Sequence, residues 1–106
     1  MSKQKPPYSL HKVYNVMDSP HANTLRVDCN DGGSFFICYG DNGVDVGSLI
    51  IAKWDEDTGD LENLYAVRSV DKKNVYRGSR IKGYGEMPEK VPFTQIEDLS
   101  KKVRKE

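Results

Sequence analysis

Leu25-Arg26-Val27-Asp28-Cys29-Asn30-Asp31-Gly32-Gly33-Ser34-Phe35-Phe36-Ile37-Cys38-Tyr39 reads as two strands folded about a turn. Leu25, Val27 and Cys29 fall on one face of an extended chain, with Arg26 and Asp28 on the other. This period of two marks a half-buried strand. Asn30-Asp31-Gly32-Gly33 concentrates residues that tolerate positive φ, as a tight hairpin requires. Ser34 to Tyr39 is aromatic and β-branched enough to favour a second extended segment.

The same pattern continues outward from this hairpin. Leu10 to Met17 predicts a preceding strand, followed by a loop at Asp18–Asn23 that contains Pro20. Downstream, Gly40-Asp41-Asn42-Gly43 is a second turn cluster and Gly47 a bend before Ser48 to Trp54. That segment is nearly all apolar and is expected to be a central strand. The acidic stretch Asp55–Asn63 is expected to be a loop. Leu64 to Val70 and Val75 to Arg80 predict two more strands joined by Asp71-Lys72-Lys73-Asn74.

The tail carries a different signal. Thr94 and Glu97 have the spacing of a capping box, and Ile96, Leu99 and Val103 recur at helical intervals. A short C-terminal α-helix from about residue 94 follows, with Lys101, Lys102, Arg104 and Lys105 near its negative end. The expected fold is therefore all-β: a small five- or six-stranded barrel closed by one helix. Residues 1–9 are a flexible lead and 10–106 a single domain. An oligonucleotide/oligosaccharide-binding (OB) barrel is preferred to an SH3-like one, which six strands and a helix overfill.

At 106 residues with equal numbers of acidic and basic side chains, the chain does not read as one that coats nucleic acid by global charge. The charge is nevertheless segregated. Asp55, Glu56, Asp57, Asp60 and Glu62 form one block; Lys72, Lys73, Arg77, Arg80 and Lys82 form another. Cys29 and Cys38 are the only cysteines. With no apolar leader and no run of membrane-spanning length, they are expected to be reduced thiols in a cytoplasmic protein. Two cysteines and two histidines have no usual zinc-ligand spacing, so neither metal nor cofactor is expected.

His21-Ala22-Asn23-Thr24-Leu25-Arg26-Val27-Asp28 and Ser79-Arg80-Ile81-Lys82-Gly83-Tyr84-Gly85-Glu86-Met87 stand in order with two motifs of a known family. On them the chain resembles the OB domain of tRNA-binding proteins of the endothelial-monocyte-activating-polypeptide type. Gly32-Gly33-Ser34-Phe35-Phe36-Ile37 and Val46-Gly47-Ser48-Leu49-Ile50-Ile51 are similar to the N-terminal OB domain of RNA ligases of the Deinococcus type. The His21 loop lacks the family proline and is two residues shorter. The resemblance implies an OB barrel, an RNA partner, a loop-stabilising role for His21 and a homodimer.

OB domains bind single strands by stacking bases on rings while cations hold the backbone. Tyr76, Arg77, Arg80, Lys82 and Tyr84 interleave the two residue types, with Phe36, Tyr39, Arg26 and Lys53 as further candidates. Lys53-Trp54-Asp55-Glu56 lacks the glycine of the ligase lysine motif, and Asp55 to Glu62 lacks the glycine placement of an EF-hand. His11 is expected at the surface of a strand. Neither histidine has an assignable nucleophile, so catalysis is not expected. Non-catalytic RNA binding is the first expectation. The second is a protein-interaction or inhibitor module, of viral origin among other sources, that uses the acidic loop or an exposed aromatic face. A barrel mouth taking a small nucleotide is the third. A basic stripe on the second and third strands would favour RNA; an acidic patch beside aromatics would favour a protein partner.

Overall fold

The computed structural model describes residues 6–38, 44–81 and 85–101, with backbone alone at 79 and 80. Strands β1 (Tyr8–Asp18), β2 (Thr24–Cys29), β3 (Ser34–Cys38), β4 (Leu49–Trp54), β5 (Leu61–Val70) and β6 (Asn74–Arg80) match the six expected ones. β1 starts two residues before the expected Leu10 and β5 three before Leu64. Two short strands were not foreseen: β7 (Lys90–Pro92) and β8 (Ile96–Asp98).

The strands form one sheet in the order β3-β2-β1-β4-β5-β6-β7, antiparallel along this path, with β8 added in parallel to β1. Its hydrogen-bonded path is not closed: β3 stands at one end and β7 at the other. β1 is shared. Tyr8–Lys12 pairs with β4, whereas Val13–Asp18 pairs with β2, and a bulge between Val13 and Asn15 marks the change of partner.

The central strands bury both faces, so β4 is nearly continuous in apolar residues, as expected. Val13, Val27, Cys29, Phe35, Ile37, Ile50, Ala52 and Leu64 belong to one core. Tyr8, Leu10, Ile51, Tyr65, Val75, Val91 and Ile96 belong to the core on the other face. Gly78 sits where the register of β5 and β6 slips. A Cβ there would stand 3.1 Å from the Ala66 carbonyl oxygen, so a side chain would press on the backbone of β5 and glycine fits the close approach best.

The C-terminal helix is not formed among the described residues. Phe93–Gln95 makes one 3₁₀ turn, and the chain then extends into β8. The reason lies in β1. Its first residues have β4 on one side only, which leaves a row of unpaired backbone groups on the other. β8 fills that edge through Tyr8↔Ile96 and Leu10↔Asp98, and Leu99 N–H donates to the Leu10 carbonyl. Ile96 is buried in the second core. Glu97, the intended capping partner, is instead an exposed strand residue.

The two cysteines stand at opposite ends of their hairpin. Cys38 is opposite Thr24, and Cys29 lies five residues further along β2. At ~3.3 Å per residue they are roughly 17 Å apart, beyond disulfide reach.

Leu64 is fully buried at the meeting of β4 and β5, whereas Val46 is 64% exposed. Leu64→Ala is expected to destabilise the protein by about 2–5 kcal/mol through lost burial and the cavity left behind. Val46→Ala should stay within roughly 0.5 kcal/mol. Urea unfolding checks both: the Leu64→Ala midpoint falls well below that of Val46→Ala at similar slope.

Candidate functional site

Ser9, His11 and Val13 alternate onto one side of β1. Beyond the pair Val13↔Cys29, Asn30 N–H donates to the Lys12 carbonyl, which draws the β2–β3 turn over the start of β1. Asp31 thereby meets His11. His11 Nδ1 lies 3.2 Å from Asp31 Oδ1, and His11 Nε2 lies 2.6 Å from Ser9 Oγ. Trp54 Nε1 donates to Ser9 Oγ at 2.7 Å. An indole N–H can only donate, so Ser9 accepts from Trp54 and has its own hydrogen to give to His11 Nε2. The imidazole then carries its proton on Nδ1 and donates to Asp31.

His11 is thus not at the strand surface. It is 3% exposed, and its ring stands edge-on to Phe35 at 5.0 Å between centroids. Sequence reading missed this because an isolated alternation does not reveal that the second face of β1 is covered as well. It also missed that a hydroxyl and a carboxylate would converge on this histidine. The signal was present in Ser9-x-His11, two residues of one face, but their partner Asp31 comes from a distant turn.

A cavity of about 680 Å³ opens above this chain. Ser9, His11, Phe35 and Trp54 form its inner wall. Asp31, Asp55, Glu56, Asp57 and Glu97 also line it, and no lysine or arginine among the described residues does. Trp54 and Phe35 lie with ring centroids 6.0 Å apart. Glu56, Asp57 and Glu97 are exposed. The site is an acidic mouth over an aromatic wall.

The acidic loop is built rather than loose. Asp55 Oδ1 accepts the N–H groups of Asp57 and Thr58 at 2.7 and 2.9 Å, and Gly59 N–H donates to the Asp55 carbonyl. Gly59 supplies the positive φ of 78° with which the loop turns back toward β5. The N–H of Thr58, then that of Asp57, holds the Asp55 carboxyl below its usual pKa. Burial pushes the Cys29 thiol up to about 12, with Asp31 and Asp28 adding to it.

The residues expected to hold RNA are dispersed. Arg26 is engaged by Asp28, with Nε 3.1 Å from Oδ1 and Nη2 donating to Oδ2 at 3.2 Å. Lys53 is engaged by Glu62. The Arg77 guanidinium lies 5.2 Å from the centre of the buried Tyr65 ring. The Tyr76 hydroxyl donates to Asp71 at 2.7 Å, and Arg68 lies over its ring. Arg80 stands opposite Tyr65 in β6, and its side chain lies outside the described set. Tyr39, Lys82 and Tyr84 lie outside the described residues. Phe36 is 45% exposed on β3 and stands beside Arg26 in the register. His21 packs edge-on against Phe36 at 5.6 Å, and its N–H and carbonyl bond Ser19 and Thr24 within the loop.

No family model, curated protein or solved structure matches the chain. No helix among the described residues is long and apolar enough to cross a membrane.

A carboxylate with a depressed pKa in the folded state stabilises above its unfolded value and loses that contribution as pH falls through the folded one. Order in the acidic loop should therefore be complete above about pH 4, the ordinary aspartate value, and be lost below it. Amide exchange at Asp57 and Thr58 checks this. Asp55→Asn, which keeps an acceptor oxygen, should retain protection and lose its pH dependence.

Proposed function

We propose that the protein is a non-catalytic binding module whose acidic cavity takes a lysine- or arginine-bearing segment of a protein partner. The carrying observation is the coincidence of five lining carboxylates with the Trp54 and Phe35 rings in one cavity. A cleft lined by one sign of charge concentrates its field. A cation over an aromatic face gains about 0.5–2 kcal/mol, more as water is excluded. On β2 and β4, by contrast, Arg26 and Lys53 are engaged by carboxylates, so this part of the expected basic surface is offset.

Turnover at Ser9 is disfavoured by its setting. Ser9 and Leu10 lie inside a strand flanked by β4 and β8, which directs their backbone N–H groups into ladders. An oxyanion hole draws on N–H groups that a turn leaves open. The relay through His11 is accordingly read as a positioning device for Trp54.

We further propose that the sheet curls into a barrel. The order β3-β2-β1-β4-β5 becomes a five-stranded OB-type barrel if β3 approaches the first half of β5. β6 pairs only with residues from Tyr65 onward, and Phe35 and Ile37 share a core with Leu64. Both facts support this curl.

RNA is the second reading, and one observation favours it. Met17, Arg26 and Phe36 stand in a row across β1, β2 and β3, with His21 against the exposed ring. Such a row offers an exposed ring for a base, beside a guanidinium that would have to leave Asp28 to reach a phosphate.

Trp54 is the sole tryptophan and reports on the cavity. Titration with an arginine- and lysine-rich peptide is expected to change its fluorescence, and binding should weaken with salt. Glu56→Gln/Asp57→Asn/Glu97→Gln should lower affinity at least tenfold at unchanged stability. Absence of peptide binding at low salt, together with oligoribonucleotide binding abolished by Phe36→Ala, would replace this reading with RNA.

A further inference from the structure

We propose that His11, Cys29 and Asp31 form a binding site for a divalent transition-metal ion of the zinc class. The inference is independent of the partner that occupies the cavity. One ring nitrogen, one sulfur and one carboxylate oxygen of these residues lie within 4.8 Å of one another. Imidazole nitrogen, thiolate and carboxylate are the donors zinc takes, at about 2.0–2.3 Å each. Donors of a tetrahedral ion at those lengths stand roughly 3.3–3.7 Å apart. The His11 Nδ1 to Asp31 Oδ1 separation is 3.2 Å, so that edge is already formed.

The site is supported on its far side and open on its near side. His11 and Cys29 are 3% and 0% exposed, which places their donors where water competes poorly. His11 and Asp31 line the cavity, which gives an ion its entry path and leaves a fourth position for water. Metal-bound histidines donate their second N–H to an outer acceptor that fixes the ring. Ser9 Oγ is in place for this, 2.6 Å from Nε2 and held by Trp54.

Proton accounting is simple. The ion bonds Nδ1, so the imidazole proton moves to Nε2 and is donated to Ser9 Oγ. That oxygen then accepts from both His11 and Trp54, and the serine hydrogen turns away from the ring. Cys29 loses its thiol proton to solvent. Asp31 contributes a carboxylate oxygen in exchange for its hydrogen bond from His11. No electron is transferred.

His11 is separated in sequence from Cys29 and Asp31 by the second half of β1 and most of β2, which is why ligand spacing gave no sign of the three. Cys29 ends β2 and Asp31 follows two residues later in the turn, which the bond from Asn30 N–H to the Lys12 carbonyl brings beside His11.

The test uses the full chain stripped with a chelator and titrated with Co²⁺ or Zn²⁺ alone. Co²⁺ is expected to bind with a stoichiometry of one, giving visible ligand-field bands and a near-ultraviolet thiolate-to-cobalt band. Zn²⁺ should displace it and raise the unfolding temperature. Cys38→Ser and His21→Gln should leave the spectrum unchanged. Cys29→Ser should remove the near-ultraviolet band, and Asp31→Asn should weaken binding at least tenfold. Ser9→Ala should weaken it by roughly tenfold as a loss of outer support. Should Cys29→Ser fail to fold, the near-ultraviolet band retained by Cys38→Ser still assigns the sulfur to Cys29. No cobalt spectrum with the wild type, or a thiolate band lost in Cys38→Ser, would overturn the site.

Discussion

The backbone of β1 is divided among three partners, and the architecture depends on that division. Its first half lies between β4 and β8, its second half pairs with β2, and the bulge at Val13–Asn15 separates the two regimes. A strand can satisfy two neighbours at any one position. Handing the chain from β4 to β2 therefore leaves an unfilled edge beside Tyr8–Leu10. β8 exists to fill it, and this is why the C-terminal segment must be extended. The same handover lets the β2–β3 turn reach across the ladder to His11. One topological constraint thus places Ile96 in the second core, extends the chain where a helix was expected among the described residues, and sets the polar chain under the cavity.

How much of this was legible in the sequence follows from the range of the forces involved. The six long strands were legible because alternation and turn chemistry are local, as in Leu25, Val27 and Cys29 ahead of Asn30-Asp31-Gly32-Gly33. The apolar run of β4 announced a strand covered on both faces. The tail misled because Thr94 and Glu97 offer a local helical start worth about 1 kcal/mol. A non-local gain outweighs it: burial of Ile96 and pairing of an open edge. β7 and β8 have three residues each, too few for a period to be read.

Candidate residues were harder to read than strands for the same reason. The interleaved Tyr76 and Arg77 look like a binding surface when only their order is known. In the fold, the Tyr76 hydroxyl is held by Asp71 and the Arg77 guanidinium lies against Tyr65. His11 looked like a surface residue because the alternation of one strand does not reveal that both of its faces are covered. Equal totals of acidic and basic side chains likewise concealed how the carboxylates gather. The acidic block lies in a loop above the start of β1, where Asp31 and Glu97 join it from two other elements.

The chain from Trp54 through Ser9 and His11 to Asp31 connects the cavity wall to the hairpin turn by hydrogen bonds whose two ends are fixed in direction. Trp54 only donates and the Asp31 carboxylate only accepts, so direction runs from the wall to the turn. Cutting the chain at Ser9 would take the same partner from the half-buried indole N–H and from Nε2 of the buried His11. An unsatisfied buried group costs about 1–3 kcal/mol, comparable to the gain from one cation on one ring. His11 thus supports both rings of the cavity wall, Trp54 through Ser9 and Phe35 by direct ring contact. A ligand that draws the indole N–H away from Ser9 must act against this chain. Any group that engages His11 at Nδ1 acts on the same serine from the other side. By reciprocity of coupled equilibria, the wall and the turn then influence each other equally.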